Sequence, residues 1–242
     1  MSHLAERRQE EDGRCSLAVP QLATDLEAFD LYRFYHTGED ETLALRGVSL
    51  HVDAGETVVV MGPSGSGKST LLSCLVGLDE PDGGHVELLG KRLTRKPEAE
   101  RAAMRAAEIG ILLQSRNLFE HLSVADNMRL QMRLARELDK QRLERLIDLV
   151  GLTHRRQARP SQLSGGEAAR AGLAVALSSD PKALLADEPT GEVDAETERD
   201  ILRLFASRRQ YGGATLIVTH SDALAAHADR VIRLLDGRIV NE

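Results

Sequence analysis

Gly62-Pro63-Ser64-Gly65-Ser66-Gly67-Lys68-Ser69-Thr70 is the stretch on which the reading of this chain turns. It fits G-x-x-x-x-G-K-[ST], the pattern of a phosphate-binding loop. The apolar, β-branched run Thr57-Val58-Val59-Val60-Met61 precedes it and predicts a buried parallel strand. A helical stretch from Ser69 to Val76 follows. The glycines let the backbone turn so that successive N–H groups converge on one centre, where a polyphosphate fits. The helix N-terminus adds partial positive charge there. Lys68 is expected to reach the β- and γ-phosphates, and the Ser69 hydroxyl to ligate Mg²⁺.

Further along, Ala183-Leu184-Leu185-Ala186-Asp187-Glu188 is a short apolar strand ending in two acids. In a phosphate-loop protein such a strand supplies a carboxylate for Mg²⁺, here Asp187. Glu188, one step on, points elsewhere and is placed to orient or deprotonate a water. Ala214 to His220 predicts a last buried strand with His220 at its C-terminal end. By position alone such a histidine is more often a hydrogen-bonded structural residue than a catalytic one. Ile109 to Leu113 predicts another strand, ending at Gln114. Gln114 is either a ligand-side amide, at the strand end where open α/β sheets bind ligands, or a loop side chain facing water.

Leu163-Ser164-Gly165-Gly166-Glu167 opens an alanine- and leucine-rich helix. Ser164 and Glu167 form a capping box. Two glycines in a first turn cost roughly 1 kcal/mol each against alanine. Close approach of an anion to exposed N–H groups is one justification for them. Between the strand-bearing halves, residues 122–158 read as a separate helical unit. Leu143, Leu146, Ile147 and Val150 fall on one stripe there, with Gly151 as the stop. Pro97 to Ala107 and Ala195 to Arg208 predict two more helices, the second with Thr197, Ile201, Leu204 and Phe205 on one face.

On the other side of the loop, Leu26 to Tyr35 and Leu43 to Val52 predict a hairpin. Tyr35, at a strand end, is either a core aromatic or a platform for a flat base. Residues 1–24 are polar and charged and are expected to form a mostly disordered tail. The strand His85 to Leu89 and a closing hairpin around Asp236-Gly237 complete the set.

Composition narrows the class. The 242 residues carry a net charge of −7, which disfavours nucleic acid as a bulk electrostatic partner. Two cysteines give no disulfide framework, so a reducing compartment is expected. No apolar run approaches the ~18 residues needed to span a bilayer, so membrane work requires another chain.

Taken together, the phosphate loop, Gln114, the Leu163–Glu167 signature, the Asp187-Glu188 strand, the Asp194 loop and His220 occur in one characteristic order. That order resembles the ATP-binding subunit of an ABC transporter over about residues 26–240. Pro189-Thr190-Gly191-Glu192-Val193-Asp194 and Ala44 to Leu50 are similar to the lipoprotein-release, macrolide-export and cell-division branch. The resemblance implies an α/β phosphate-loop ATPase domain over residues 25–242. It would have a RecA-like core, an N-terminal antiparallel β subdomain and a helical signature subdomain at about 115–180. It implies that Tyr35 stacks on adenine, that Gly62 to Thr70 cradle the phosphates of ATP, and that Ser69, Gln114 and Asp187 face Mg²⁺. Glu188 would polarise the attacking water, Gln114 contact it, and His220 hold the γ-phosphate. Ser164, Gly165 and Gly166 would meet the γ-phosphate bound by a second copy, with Asp194 lining that interface. A two-fold dimer follows.

The implied partners are this second copy and a polytopic permease, with the chain peripheral on the cytoplasmic face of the membrane. A regulatory clamp that moves no substrate is the alternative. A GTPase reading lacks an N-K-x-D motif. Glu167 where glutamine is commoner, Val175 where arginine is, and Glu192-Val193 where asparagine-leucine is, depart from the family pattern.

Overall fold

The computed structural model describes residues 24–37, 40–115, 117–191 and 193–241. The expected N-terminal tail, apart from Thr24, lies outside them.

Two sheets frame the molecule. β1 (Thr24–Thr37) and β2 (Asp40–Asp53) form the expected hairpin, longer at both ends than the sequence suggested. With β4 (Gly83–Leu88) and β5 (Lys91–Arg92) they make an antiparallel sheet in the order β2-β1-β4-β5. The core sheet runs β10-β9-β3-β8-β7-β6. Its members are β3 (Thr57–Met61), β6 (Ile109–Leu112), β7 (Ala183–Asp187), β8 (Ala214–Val218), β9 (Arg230–Leu235) and β10 (Arg238–Asn241). All its pairings are parallel except the β9–β10 hairpin. That hairpin turns on Asp236 and Gly237, both at positive φ, the pairing a two-residue turn demands.

The central strands read as unbroken apolar runs because both of their faces are buried. Val58 and Val60 pack into one core and Val59 and Met61 into the other. Leu185 and Leu184 divide the same way on β7. The alternation is that of a pleated strand covered on both sides. The first core lies between the two sheets around α1 (Lys68–Leu75), which buries Leu71, Leu72, Cys74 and Leu75. Burial also pushes the Cys74 thiol up to about 12, so it packs as an inert apolar group.

The second core is roofed by α3 (Val124–Leu134), α4 (Lys140–Leu149), α5 (Gly165–Leu177) and α6 (Ala195–Gln210). The α4 stripe is buried at Leu143, Ile147 and Val150, with Leu146 at its margin. Thr197, Ile201, Leu204 and Phe205 form the buried face of α6. Each such leucine or phenylalanine contributes about 1.5–3 kcal/mol by leaving water. α2 (Glu98–Glu108) buries no residue fully, and Pro97 is its N-cap rather than part of its first turn. A four-residue helix, α7 (Asp222–Ala225), follows β8.

Candidate nucleotide site

The phosphate loop joins β3 to α1 at the carboxyl end of the core sheet and is fixed by three neighbours. The Cβ of an alanine at Gly67 (φ 102°) would lie 2.5 Å from the Ala44 carbonyl oxygen, and so would one at Gly237. One at Gly62 would lie 2.2 Å from the Leu234 carbonyl oxygen. Backbone bonds complete the clasp: Gly237 N–H donates to Ser66 O and Arg46 N–H to Gly237 O. The loop is thus wedged between β2 and the β9–β10 turn, where no side chain fits. Gly65, by contrast, has open space beside it. Lys68 Nζ donates to the carbonyls of Gly62 (2.7 Å) and Pro63 (2.8 Å). These bonds hold the ammonium over the mouth of the loop.

β7 carries two acids to the same place, and β8 brings Thr219 and His220 beside them. Asp187 Oδ2 accepts from Ser69 Oγ at 3.3 Å. Burial pushes the Asp187 carboxyl up, against the lowering effect of that hydrogen bond. Glu188, at φ 47°, turns its side chain away from Asp187. It accepts from Thr219 Oγ1 at 2.8 Å and lies 2.7 Å from His220 Nδ1. The strand end therefore splits its two carboxylates: one faces the loop serine, the other a threonine–histidine pair.

One cavity of about 790 Å³ is lined by Tyr35, by Gly62, Pro63, Ser64, Gly65, Gly67, Lys68, Ser69 and Thr70, and by Gln114, Asp187, Glu188 and His220. Ser66 is buried behind the loop with an unpartnered hydroxyl. Tyr35 sits at the rim and is no core aromatic. Its hydroxyl donates to Asp79 Oδ2 at 2.7 Å. The sequence showed Asp79 only as part of a turn.

Ser164, Gly165, Gly166 and Asp194 do not line this cavity. Ser164 caps α5 in the expected capping box with Glu167. The Glu167 carboxylate also accepts from Arg155 Nε at 3.0 Å, and the Ser164 amide with Arg155 holds it below the usual carboxylate range. Asp194 caps α6, accepting from the amides of Glu196 and Thr197. The bare backbone at Gly166 has a local cause that the sequence did not show: a Cβ there would lie 2.8 Å from Thr197 Oγ1. Glu192 lies outside the described residues.

The sequence model of the family described as ABC transporter matches residues 45–191, well over half the chain. The chain belongs to that family. It is 41% identical over 217 residues to the lipoprotein-releasing system ATP-binding protein LolD of Acinetobacter baylyi, covering 88% of this chain and 95% of that one. It is 42% identical over 219 residues to the macrolide export ATP-binding/permease protein MacB of Chlorobium luteolum. That match covers 90% of this chain but only 33% of MacB, so the chain spans about a third of that relative. A dimeric structure of the ATP-binding cassette MJ0796, in a post-hydrolysis state bound to ADP and Pi, superposes with a TM-score of 0.85. The identity there is 31%, over 89% of this chain and 97% of that one. The chain is accordingly an ATP-binding and ATP-hydrolysing ABC cassette with the expected two-sheet, helical-subdomain architecture. Among its described residues no helix is long and apolar enough to cross a membrane.

Proposed function

We propose that this cassette hydrolyses Mg²⁺–ATP between two copies of itself and so drives a separate polytopic membrane permease, from a peripheral position on the cytoplasmic face. The observation that carries the reading is the division of the machinery. The phosphate loop, Asp187, Glu188, Gln114 and His220 share one cavity, while Ser164, Gly165 and Gly166 stand outside it, Gly165 lining a neighbouring cavity with Gln114 and Glu188. A second, reciprocally placed chain would bring its Ser164 hydroxyl and its Gly165 and Gly166 amides to the γ-phosphate, with Asp194 at the contact. The dimeric MJ0796 cassette supports that arrangement.

In this reading Tyr35 stacks on the adenine. The backbone N–H groups of residues 62–70 and the Lys68 ammonium hold the phosphates. Ser69 and Asp187 are hard oxygen donors 3.3 Å apart, a set that suits a small octahedral cation completed by phosphates and water. Mg²⁺ bound there, with Gln114 alongside, would supply charge neutralisation to the transferring phosphoryl group. Glu188 accepts the proton of the attacking water. His220, 2.7 Å from Glu188, is placed to exchange that contact for the γ-phosphate. The capping box commits the Glu167 carboxylate to the Ser164 N–H, so glutamate in place of the commoner glutamine is held at its own helix start.

Glu188→Gln tests this. The amide preserves shape, so ATP binding stays intact while turnover falls about 10²–10⁴-fold, the range for a lost general base. Dimers should accumulate with ATP, as read by light scattering. Turnover within threefold of the parent would remove Glu188 from the role. Strictly monomeric ATP-loaded protein would remove the shared site.

A further inference from the structure

We infer that Arg33 and Asp79 are positioning residues that fix the Tyr35 ring as a one-faced platform and bolt it to the phosphate-binding helix. The inference rests on Tyr35 being the base platform and adds what holds it.

Asp79 sits four residues beyond the end of α1. Its backbone N–H donates to Ser73 O at 3.1 Å, so its place is set by the same helix that begins in the phosphate loop. From there its carboxylate takes three hydrogen bonds. Arg33 grips it with a two-pronged fork, Nε to Oδ2 at 2.9 Å and Nη2 to Oδ1 at 2.8 Å, and Tyr35 adds its hydroxyl at 2.7 Å. Such bidentate, charge-assisted pairs fix direction as well as energy. The remaining Arg33 nitrogen, Nη1, reaches Asp82 Oδ2 at 3.0 Å, and the Phe34 N–H donates to that same oxygen at 2.8 Å. The fork itself is therefore anchored. Burial opposes charge on Asp79, yet the hydrogen bonds from Arg33 and Tyr35 hold its carboxyl below the usual carboxylate range.

The same guanidinium lies over the Tyr35 ring, 4.7 Å from its centroid. One π-face is thereby taken by a cation, leaving the other for a flat ligand. Tyr35 remains 37% exposed, which is what a platform awaiting a base requires. With its hydroxyl committed to Asp79, the phenol keeps no free O–H to read base edges, so it recognises the base by its π-face. The geometry thus ties base recognition on β1 to the phosphate cradle on α1 through one carboxylate. An untethered tyrosine at the rim would have to be ordered by each incoming nucleotide. Immobilising one such side chain costs about 2- to 10-fold in affinity.

The test compares ATP with inorganic triphosphate, which fills the cradle but has no base. Affinities are measured by calorimetry without Mg²⁺ on full-length protein. Tyr35→Ala should weaken ATP on the order of tenfold, the scale of one lost base–aromatic stack, and leave triphosphate unchanged. Asp79→Asn, Arg33→Met and Tyr35→Phe should each weaken ATP about 2- to 10-fold, again sparing triphosphate. Adding Asp79→Asn to Tyr35→Phe should bring no further loss, since the pin is already gone. If Tyr35→Ala leaves ATP affinity intact, the base-platform reading fails. If Tyr35→Ala weakens ATP but Asp79→Asn and Arg33→Met do not, the platform stands and the positioning role is overturned. Equal losses for ATP and triphosphate would overturn it too, by showing a general structural defect.

Discussion

Gly166→Ala separates two explanations for a glycine in the first turn of α5. The sequence suggests that bare backbone is there for an anion. The structure points the missing side chain at Thr197 instead. An ideal Cβ on residue 166 would lie 2.8 Å from Thr197 Oγ1, but 3.6 Å from Asp194 Oδ2 and 3.7 Å from Arg170 Nη1. Only the first contact is too short, and Thr197 is buried at 2% exposure. To make room, Thr197 must rotate and give up its bonds from Arg170 (2.8 Å) and to Asp194 (3.3 Å). Two ordinary hydrogen bonds are worth about 1–3 kcal/mol together. Alanine returns up to about 1 kcal/mol of helix propensity. The net loss is about 1 kcal/mol, a fall of about 2–4 °C in melting temperature for a chain of this size. In a Thr197→Ala background the obstructing oxygen is absent, so the same substitution should be neutral or stabilising. The double-mutant cycle should then show a coupling of about 1–2 kcal/mol. Urea unfolding of the four nucleotide-free proteins measures it, and ATP turnover follows in parallel. The packing account requires that the double mutant turn over ATP as fast as Thr197→Ala alone. An additive cycle, or turnover that stays lost once stability is restored, would refute it and return the glycine to the anion.

Asp187→Asn should raise the melting temperature of the nucleotide-free protein near pH 7 by about 2–4 °C per kcal/mol of relieved penalty, while Mg²⁺-dependent ATP turnover collapses. A carboxyl whose folded pKa is raised by burial favours the fold when protonated. Stability therefore falls as pH rises through that folded value, and the gap between variant and parent should widen with pH over the same interval; a lower melting temperature for the variant would contradict it. Arg208→Met should cost about 2–4 kcal/mol and leave ATP affinity unchanged. Its guanidinium donates to the carbonyls of Pro181 (2.6 Å) and Lys182 (2.7 Å). Those carbonyls lie at the end of β7 remote from the nucleotide site, and burial brings the Arg208 group down to about 10. A loss under about 1 kcal/mol in urea unfolding would show that these carbonyls find other partners.

Much of the fold is legible because burial on both faces writes itself into the chain. β3, β7 and β8 are short, apolar and uninterrupted, and each leads within two residues to a residue of the site. The capping box and the α4 and α6 stripes are local patterns, and local patterns survive folding. What was not legible depends on partners distant in sequence. The hairpin β1–β2 runs longer than its apolar segments because polar residues continue the pairing at its ends, Thr24 with Asp53 and His36 with Glu41. Asp79 looks like any acid in a turn until Arg33, 46 residues away, reaches it. Thr219 precedes the expected histidine without distinction, yet its hydroxyl is a partner of Glu188. Thr197, which a Cβ on Gly166 would meet, is 31 residues away and left no mark near the glycine.

The site shows why these nonlocal partners gather there. Every charged group that the proposed reading assigns to the polyphosphate has an internal partner: Lys68 its own loop carbonyls, Asp187 the Ser69 hydroxyl, Glu188 the Thr219 hydroxyl and His220. Each of these contacts is one the bound ligand can replace rather than one it must build. The groups are thus held close to their working positions at modest cost, and little reorganisation remains for the moment of binding. The exception is the Ser164 helix start, whose first-turn amides face no partner within the cavity. A chain that prepares every other element of its site and places this one elsewhere has the geometry of half a pocket. In the proposed dimer a second copy would supply the missing half, since one two-fold operation completes both sites at once.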